Sequence, residues 1–154
     1  MAAVTTFLVA SVIQAPAEAV FAWHLRDGAF EDLVPPWDGT RVEERSGRLE
    51  DNSMRVVLSV PVLGPIRQRW TIRHEGFVAG RSFTDVMERG PFPKWRHTHL
   101  VTPVDADTCR LTDSIDYELP LGRLGELGGA RMVRRRLEKT FEYRHRVTHE
   151  AFEA

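Results

Sequence analysis

Two histidines separated by a single residue, His97 and His99, are the first side chains in this chain whose spacing could carry chemistry. In a strand that spacing puts both imidazoles on one face. Asp85 and Asp113, in neighbouring strand-like stretches, carry carboxylates to the same face. A histidine beside a carboxylate titrates near neutral pH and is oriented by it, which suits general acid–base work such as proton abstraction next to a carbonyl. Tyr117 could then polarise an oxygen. The same His and Asp set could ligate zinc or iron. It could orient the polar end of a bound molecule, or simply form a hydrogen-bonded network that satisfies itself across strands. Buried charges left unpaired cost several kcal/mol each, on the order of what a domain can tolerate once. A sheet that needed only a dry core would not place four such groups together. A second histidine pair, His145 and His149, lies one turn apart near the C-terminus and reads as a solvated helix end rather than a metal pair.

These residues are positioned by a run of strands. Thr5 to Gln14 is rich in β-branched residues and forms the first strand. Pro16 suits a first helical turn, Ala17 to Leu25 continues it, and Ala29 to Leu33 makes a second short helix ended by Pro35-Pro36. Strands follow at Arg41 to Arg45, Met54 to Val62, Arg67 to Glu75, Arg81 to Glu88, Trp95 to Val104 and Cys109 to Leu119. Turns at Gly64-Pro65, Gly76 to Gly80, Gly90 to Pro93 and Asp105 to Thr108 make them antiparallel neighbours. The last element is a long amphipathic helix over Gly122 to Phe152, with Val133, Leu137, Phe141, Thr148 and Phe152 at helical spacing and arginines on its other faces. The order is β-α-α-β6-α, an α+β fold.

Hairpin symmetry sets the register. Centring one turn on Gly64 places Met54, Val56, Leu58 and Val60 on a face with His74, Ile72, Trp70 and Gln68. Centring the next between Val78 and Ala79 passes that face to Phe83, Asp85 and Met87. Centring the last on Ala106 pairs Trp95 with Tyr117, His97 with Ile115, His99 with Asp113 and Val101 with Leu111. Arg67, Arg69, Arg73 and Glu88 then point away, as solvent expects.

Composition narrows the function classes. The 154 residues suit one domain spanning 1–154, with net charge −1 and so no electrostatic case for binding nucleic acid. No apolar run approaches the roughly 18 residues of a membrane span, so stable membrane insertion is not expected. Phe7 to Ile13 lacks a preceding Lys or Arg and reads as strand, not as a secretory signal. The single cysteine, Cys109, fits a reducing compartment, and the expected location is cytoplasmic.

Three stretches resemble a known superfamily: Trp23 to Trp37 (WHLRDGAFEDLVPPW), Gly90-Pro91-Phe92 followed by Trp95-Arg96-His97-Thr98-His99, and Leu111 to Gly122 (LTDSIDYELPLG). With the element order, they resemble the START/Bet v 1-like superfamily, in its polyketide cyclase/dehydrase-type SRPBCC branch. Within it they are similar to the small domain found alone or fused to sugar-epimerase-like proteins. The resemblance implies a helix-grip fold, in which a curved seven-stranded antiparallel sheet wraps the C-terminal helix around a hydrophobic tunnel. It implies a hydrophobic small-molecule ligand such as a lipid, quinone or polyketide; Trp23, His24, Trp37 and Phe92 lie in segments that rim the mouth in that fold, where they could gate it or simply pack under the short helices. Met54, Val56, Leu58, Trp70, Ile72, Phe83, Met87, Trp95, Ile115, Tyr117, Val133, Leu137 and Phe141 should line the tunnel or pack beside it, and Asp85, His97, His99 and Asp113 should orient the ligand's polar end. The reading calls for no metal and no cofactor. Its rivals are a cyclase/dehydratase-type enzyme using the His and Asp groups, and a protein-interaction or chaperone-like module.

Overall fold

The computed structural model describes residues 3–122, 124 and 128–153. Seven strands form one antiparallel sheet: β1 (Thr5–Ile13), β2 (Arg41–Ser46), β3 (Arg55–Leu63), β4 (Ile66–Val78), β5 (Ser82–Arg89), β6 (Lys94–Pro103) and β7 (Cys109–Glu118), in the spatial order β1-β7-β6-β5-β4-β3-β2. Two short helices, α1 (Ala17–Leu25) and α2 (Ala29–Leu33), link β1 to β2, and a long helix α3 (Ala130–Ala151) closes the described chain. The sheet curves around α3 in the helix-grip arrangement, with α3 nearest β1 and α2.

The last helix is shorter than its sequence pattern predicts. Gly122 is a turn residue at φ +55°, following Leu121 at φ +64°, and α3 starts only at Ala130. Positions 123 and 125–127, which the sequence reading places in the helix, lie outside the described residues. Pro16 serves as the N-cap of α1 rather than its first helical residue.

The register is the expected one in two hairpins and shifted in a third. β3 pairs Val56 with Ile72 and Leu58 with Trp70, and β6 pairs His97 with Ile115 and His99 with Asp113. A turn centred between Val78 and Ala79 would set His74 opposite Phe83. Instead β4 runs on to Val78, with an irregularity between Glu75 and Val78 that contains Gly76 at φ +63°. The turn falls at Ala79–Arg81, later than expected, and β4 carries one extra residue between Glu75 and Val78; together they move the pairing by two residues, so His74 faces Asp85. A shift of two leaves every side chain on its expected face. At the entrance to β3, a Cβ on Gly47 would meet the Ser53 carbonyl oxygen at 2.2 Å, so only glycine lets the chain fold back there.

The inner face holds three apolar clusters. Ile13, Val20, Phe21, Phe83 and Leu111 pack under α1; Phe7, Ile115, Tyr117, Leu137 and Phe141 under α3; and Val56, Leu58, Val60 and Ile72 toward the β2 side. The outer face carries ion pairs, including Arg69–Glu43 at 3.0 Å and the Arg73–Glu75–Arg96 group. Each such exposed pair contributes about 0–1 kcal/mol, so the inner face carries the stability. Ile115→Ala should therefore destabilise by about 2–5 kcal/mol in urea unfolding, while Leu8→Ala, at a position 63% exposed, should stay within about 0.5 kcal/mol of wild type.

Candidate functional site

Asp113 lies at the centre of a buried polar chain. His97 donates from Nε2 to Asp113 Oδ1 at 2.7 Å, and His145 donates from Nε2 to Asp113 Oδ2 at 2.7 Å. His99 Nδ1 stands 3.3 Å from Asp113 Oδ1, and its Nε2 donates to Asp85 Oδ2 at 2.9 Å. His74 Nε2 stands 3.0 Å from Asp85 Oδ1, and its Nδ1 lies 3.3 Å from the Met54 carbonyl oxygen. At the other end Ser11 Oγ and His145 Nδ1 are 2.6 Å apart. Four imidazoles and two carboxylates thus run from β1 and α3 across β7, β6, β5 and β4. The strand pairings deliver them: His97 opposite Asp85, His99 opposite Asp113, and His74 opposite Asp85.

The sequence reading missed two of these imidazoles. His145, expected in solvent, is buried on Asp113. It lies four residues after Phe141, which lies four after Leu137, so it continues the apolar stripe; that spacing was the available signal. His149 does sit at the exposed helix end, 2.9 Å from Glu153. His74 shares the inner face in the sequence reading, but the later turn and the bulge together set it beside Asp85.

The site separates its protons. Burial pushes both carboxyls up, but imidazole charge and hydrogen bonds outweigh it and hold Asp85 and Asp113 well below the usual carboxylate range. Burial also works against a charged His99, yet Asp85 and Asp113 raise it to about 9. Burial and the charge of His99 lower its neighbour His97. At neutral pH a protonated and an unprotonated ring therefore lie with centroids 3.8 Å apart. His24, on α1, is lowered to about 4, chiefly by burial, against a hydrogen bond with the Val20 carbonyl.

Two cavity lobes meet beside this chain. One, of about 250 Å³, lies under α3 and is lined by Val60, Trp70, Trp95, Val133, Leu137 and Phe141, with His97 at its floor. The other, of about 330 Å³, lies toward α1 and is lined by Met54, Val56, Phe83, His74 and His99. Phe30, Leu58, Ile72, Asp85 and Arg144 border both. Arg144 is held by a bond from Nε to the Leu33 carbonyl at 3.2 Å, rests over Phe141 and Phe30, and has its basicity reduced by burial. Trp70 Nε1 is buried without a hydrogen-bond partner among the described residues.

Other expected residues line neither lobe but pack beside them: Ile115 clusters with Leu137 and Phe141, Tyr117 sets its ring against Phe92 and Trp95, Met87 packs with Ile72, and Asp113 is buried on His97 and His99. Of the residues expected at the mouth, Phe92 lines the first lobe and His24 the second, Trp23 packs on Phe152, and Trp37 is exposed against Tyr143. Arg144 was not singled out from the sequence, where it is one of many arginines on α3.

The model of the family described as polyketide cyclase/dehydrase and lipid transport matches residues 13–141. No curated protein matches the sequence. Among solved structures, the ZhuI aromatase/cyclase from Streptomyces sp. R1128 superposes with a TM-score of 0.76 at 16% identity, over 98% of this chain and 94% of that one. A START superfamily protein from Mycobacterium smegmatis gives 0.70 at 16% identity, over 96% and 97%. A nucleoside-diphosphate sugar epimerase from Corynebacterium glutamicum gives 0.69 at 28% identity, over 94% of this chain but 28% of that protein. No described helix is long and apolar enough to cross a membrane.

Removing the shared acceptor should expose the cost of the buried chain. Asp113→Ala leaves three imidazoles without it and should lose about 3–5 kcal/mol in equilibrium unfolding. A separate check concerns acid. Unfolded His24 binds its proton near 6.5 and folded His24 near 4, so between those values the unfolded chain holds more protons and stability falls as pH drops. His24→Gln should flatten unfolding free energy between pH 6.5 and 4 by about 1–3 kcal/mol relative to wild type.

Proposed function

We propose that this chain, which belongs to the polyketide cyclase/dehydrase and lipid transport family, binds a hydrophobic small molecule, of lipid, quinone or polyketide-like character, between the sheet and α3. The observation that carries the reading is the pair of lobes, apolar along most of their walls and meeting at a border whose charged members are Asp85 and Arg144. Ligand pockets have this composition: mostly apolar walls with a few fixed polar groups. The apolar body fills the lobes. Its polar end arrives at the junction, where Asp85, His97, His99 and Arg144 converge with Asp113 fixing the two rings from behind. The unpartnered indole N–H of Trp70 offers one further donor to a ligand oxygen.

A second reading, acid–base catalysis of the cyclase or dehydratase kind, is supported by the proton arrangement. A ring that holds its proton beside one that does not is what transfer from carbon to oxygen requires. The open lobes weigh against an interaction module with a filled core.

Native mass spectrometry of freshly purified protein, followed by organic extraction, tests the binding reading. Wild type should carry or take up an apolar molecule in one-to-one ratio. Leu137→Trp, which fills the first lobe while keeping an apolar surface, should lose it by at least about tenfold in occupancy. Equal occupancy in both proteins would place the molecule outside the lobes and reject the reading. Turnover of a polyketide-like substrate, abolished by His97→Gln with binding retained, would favour the second reading.

A further inference from the structure

We propose that Asp85, His97 and His99 bind a divalent first-row transition-metal ion at the junction of the two lobes. One donor atom from each residue lies within 4.8 Å of the others. His99 Nε2 is 2.9 Å and His97 Nδ1 is 3.7 Å from the Asp85 carboxylate. Ligands bound at about 2.0–2.2 Å to one tetrahedral ion stand roughly 3.4 Å apart, a value these two edges bracket.

The surroundings are what a ligand set needs. A metal-binding imidazole has its other nitrogen anchored to an acceptor, which fixes ring and tautomer. Asp113 does this for both rings, through His97 Nε2 at 2.7 Å and His99 Nδ1 at 3.3 Å. His145 secures the remaining oxygen of Asp113, and His74 approaches the second oxygen of Asp85 at 3.0 Å. Because His97 Nε2 donates to a carboxylate, its Nδ1 keeps a lone pair on the Asp85 side; His99 Nε2, which donates to Asp85 in the metal-free protein, releases its proton to solvent as the ion takes its place.

The set is also open on one side. Asp85 and His97 border one lobe, and Asp85 and His99 the other, so three protein ligands leave room for a small molecule as a further ligand. Closed structural sites use four protein ligands; sites that act on a ligand use three. Two carboxylates in one buried chain are offset by the charge of a dication. Two imidazoles with one carboxylate and no sulfur suit Zn²⁺ or Fe²⁺, rather than the all-oxygen sets of Ca²⁺ and Mg²⁺ or the thiolate sets of Cu⁺. The second histidine pair, on α3, is not the site, since His145 serves Asp113 and His149 faces Glu153. This inference goes beyond the binding reading and stands whether or not an apolar molecule fills the lobes.

The test uses tag-free, chelator-stripped protein titrated with Co²⁺ and followed by its visible d–d absorption, with Zn²⁺ competing. Wild type should bind one equivalent of Co²⁺, displaced by Zn²⁺, and Zn²⁺ should raise Tm. Asp113→Asn should weaken binding about 10–100-fold, and His99→Ala by more than that. His149→Ala should bind as wild type does. Should His99→Ala fail to fold, the imidazole proton signals of wild type decide: Zn²⁺ should shift those of His97 and His99 and leave that of His149 in place. A wild-type protein that shows neither Co²⁺ absorption nor a Zn²⁺-dependent Tm, or binding that survives His99→Ala and vanishes in His149→Ala, overturns the proposal.

Discussion

A carboxylate cannot be taken out of water alone, and Asp113 is 5% exposed in the middle of the sheet. Much of the interior can be understood as the set of partners that makes this burial tolerable. One oxygen receives His97 and stands near His99, while the other receives His145. Those rings then need acceptors of their own, and Asp85 and Ser11 supply them. The chain ends only where a backbone carbonyl at Met54 and a hydroxyl at Ser11 close it. Such a network gives little net stability compared with an apolar core of equal volume. What it provides is a fixed set of charges at the junction of the two lobes.

The architecture makes the arrangement possible. An antiparallel sheet sends alternate side chains inward, so residues two apart on β6 reach the same acid, and the neighbouring strand places a second acid opposite. Curvature of the sheet around α3 leaves the centre of the inner face partly uncovered. A flat sheet under the same helix would press Leu137 and Phe141 onto Trp70 and Trp95 and leave no lobe between them.

How far the sequence reveals this depends on the kind of contact. The face occupied by His97, His99, Asp85 and Asp113 follows from period-two alternation and hairpin symmetry, both local properties. The superfamily resemblance rested on short motifs around the same strands. Partners delivered by long-range geometry were not legible. His145 is 32 residues from Asp113 and sits among arginines, which made it look solvated. His74 faces Asp85 because the β4–β5 turn lies later than symmetry of the apolar pattern suggests and β4 carries one extra residue, and hairpin symmetry assumes no irregularity. Arg144 matters because it borders both lobes, a property of the assembled interior. The start of α3 is not legible because the hydrophobic pattern continues through Gly122, a turn residue, and Gly129, the N-cap of α3.

The irregularity between Glu75 and Val78 also bears on how this fold can change over time. Between Glu75 and Val78, β4 has two residues where β5 has one between Ser82 and Thr84, so the corner holds one residue more than a regular ladder needs. Loss of that single residue would leave Glu75 opposite Thr84 and His74 opposite Asp85, with every side chain on its present face, because β4 is registered separately on β3. The corner is a place where chain length can change without rebuilding the interior.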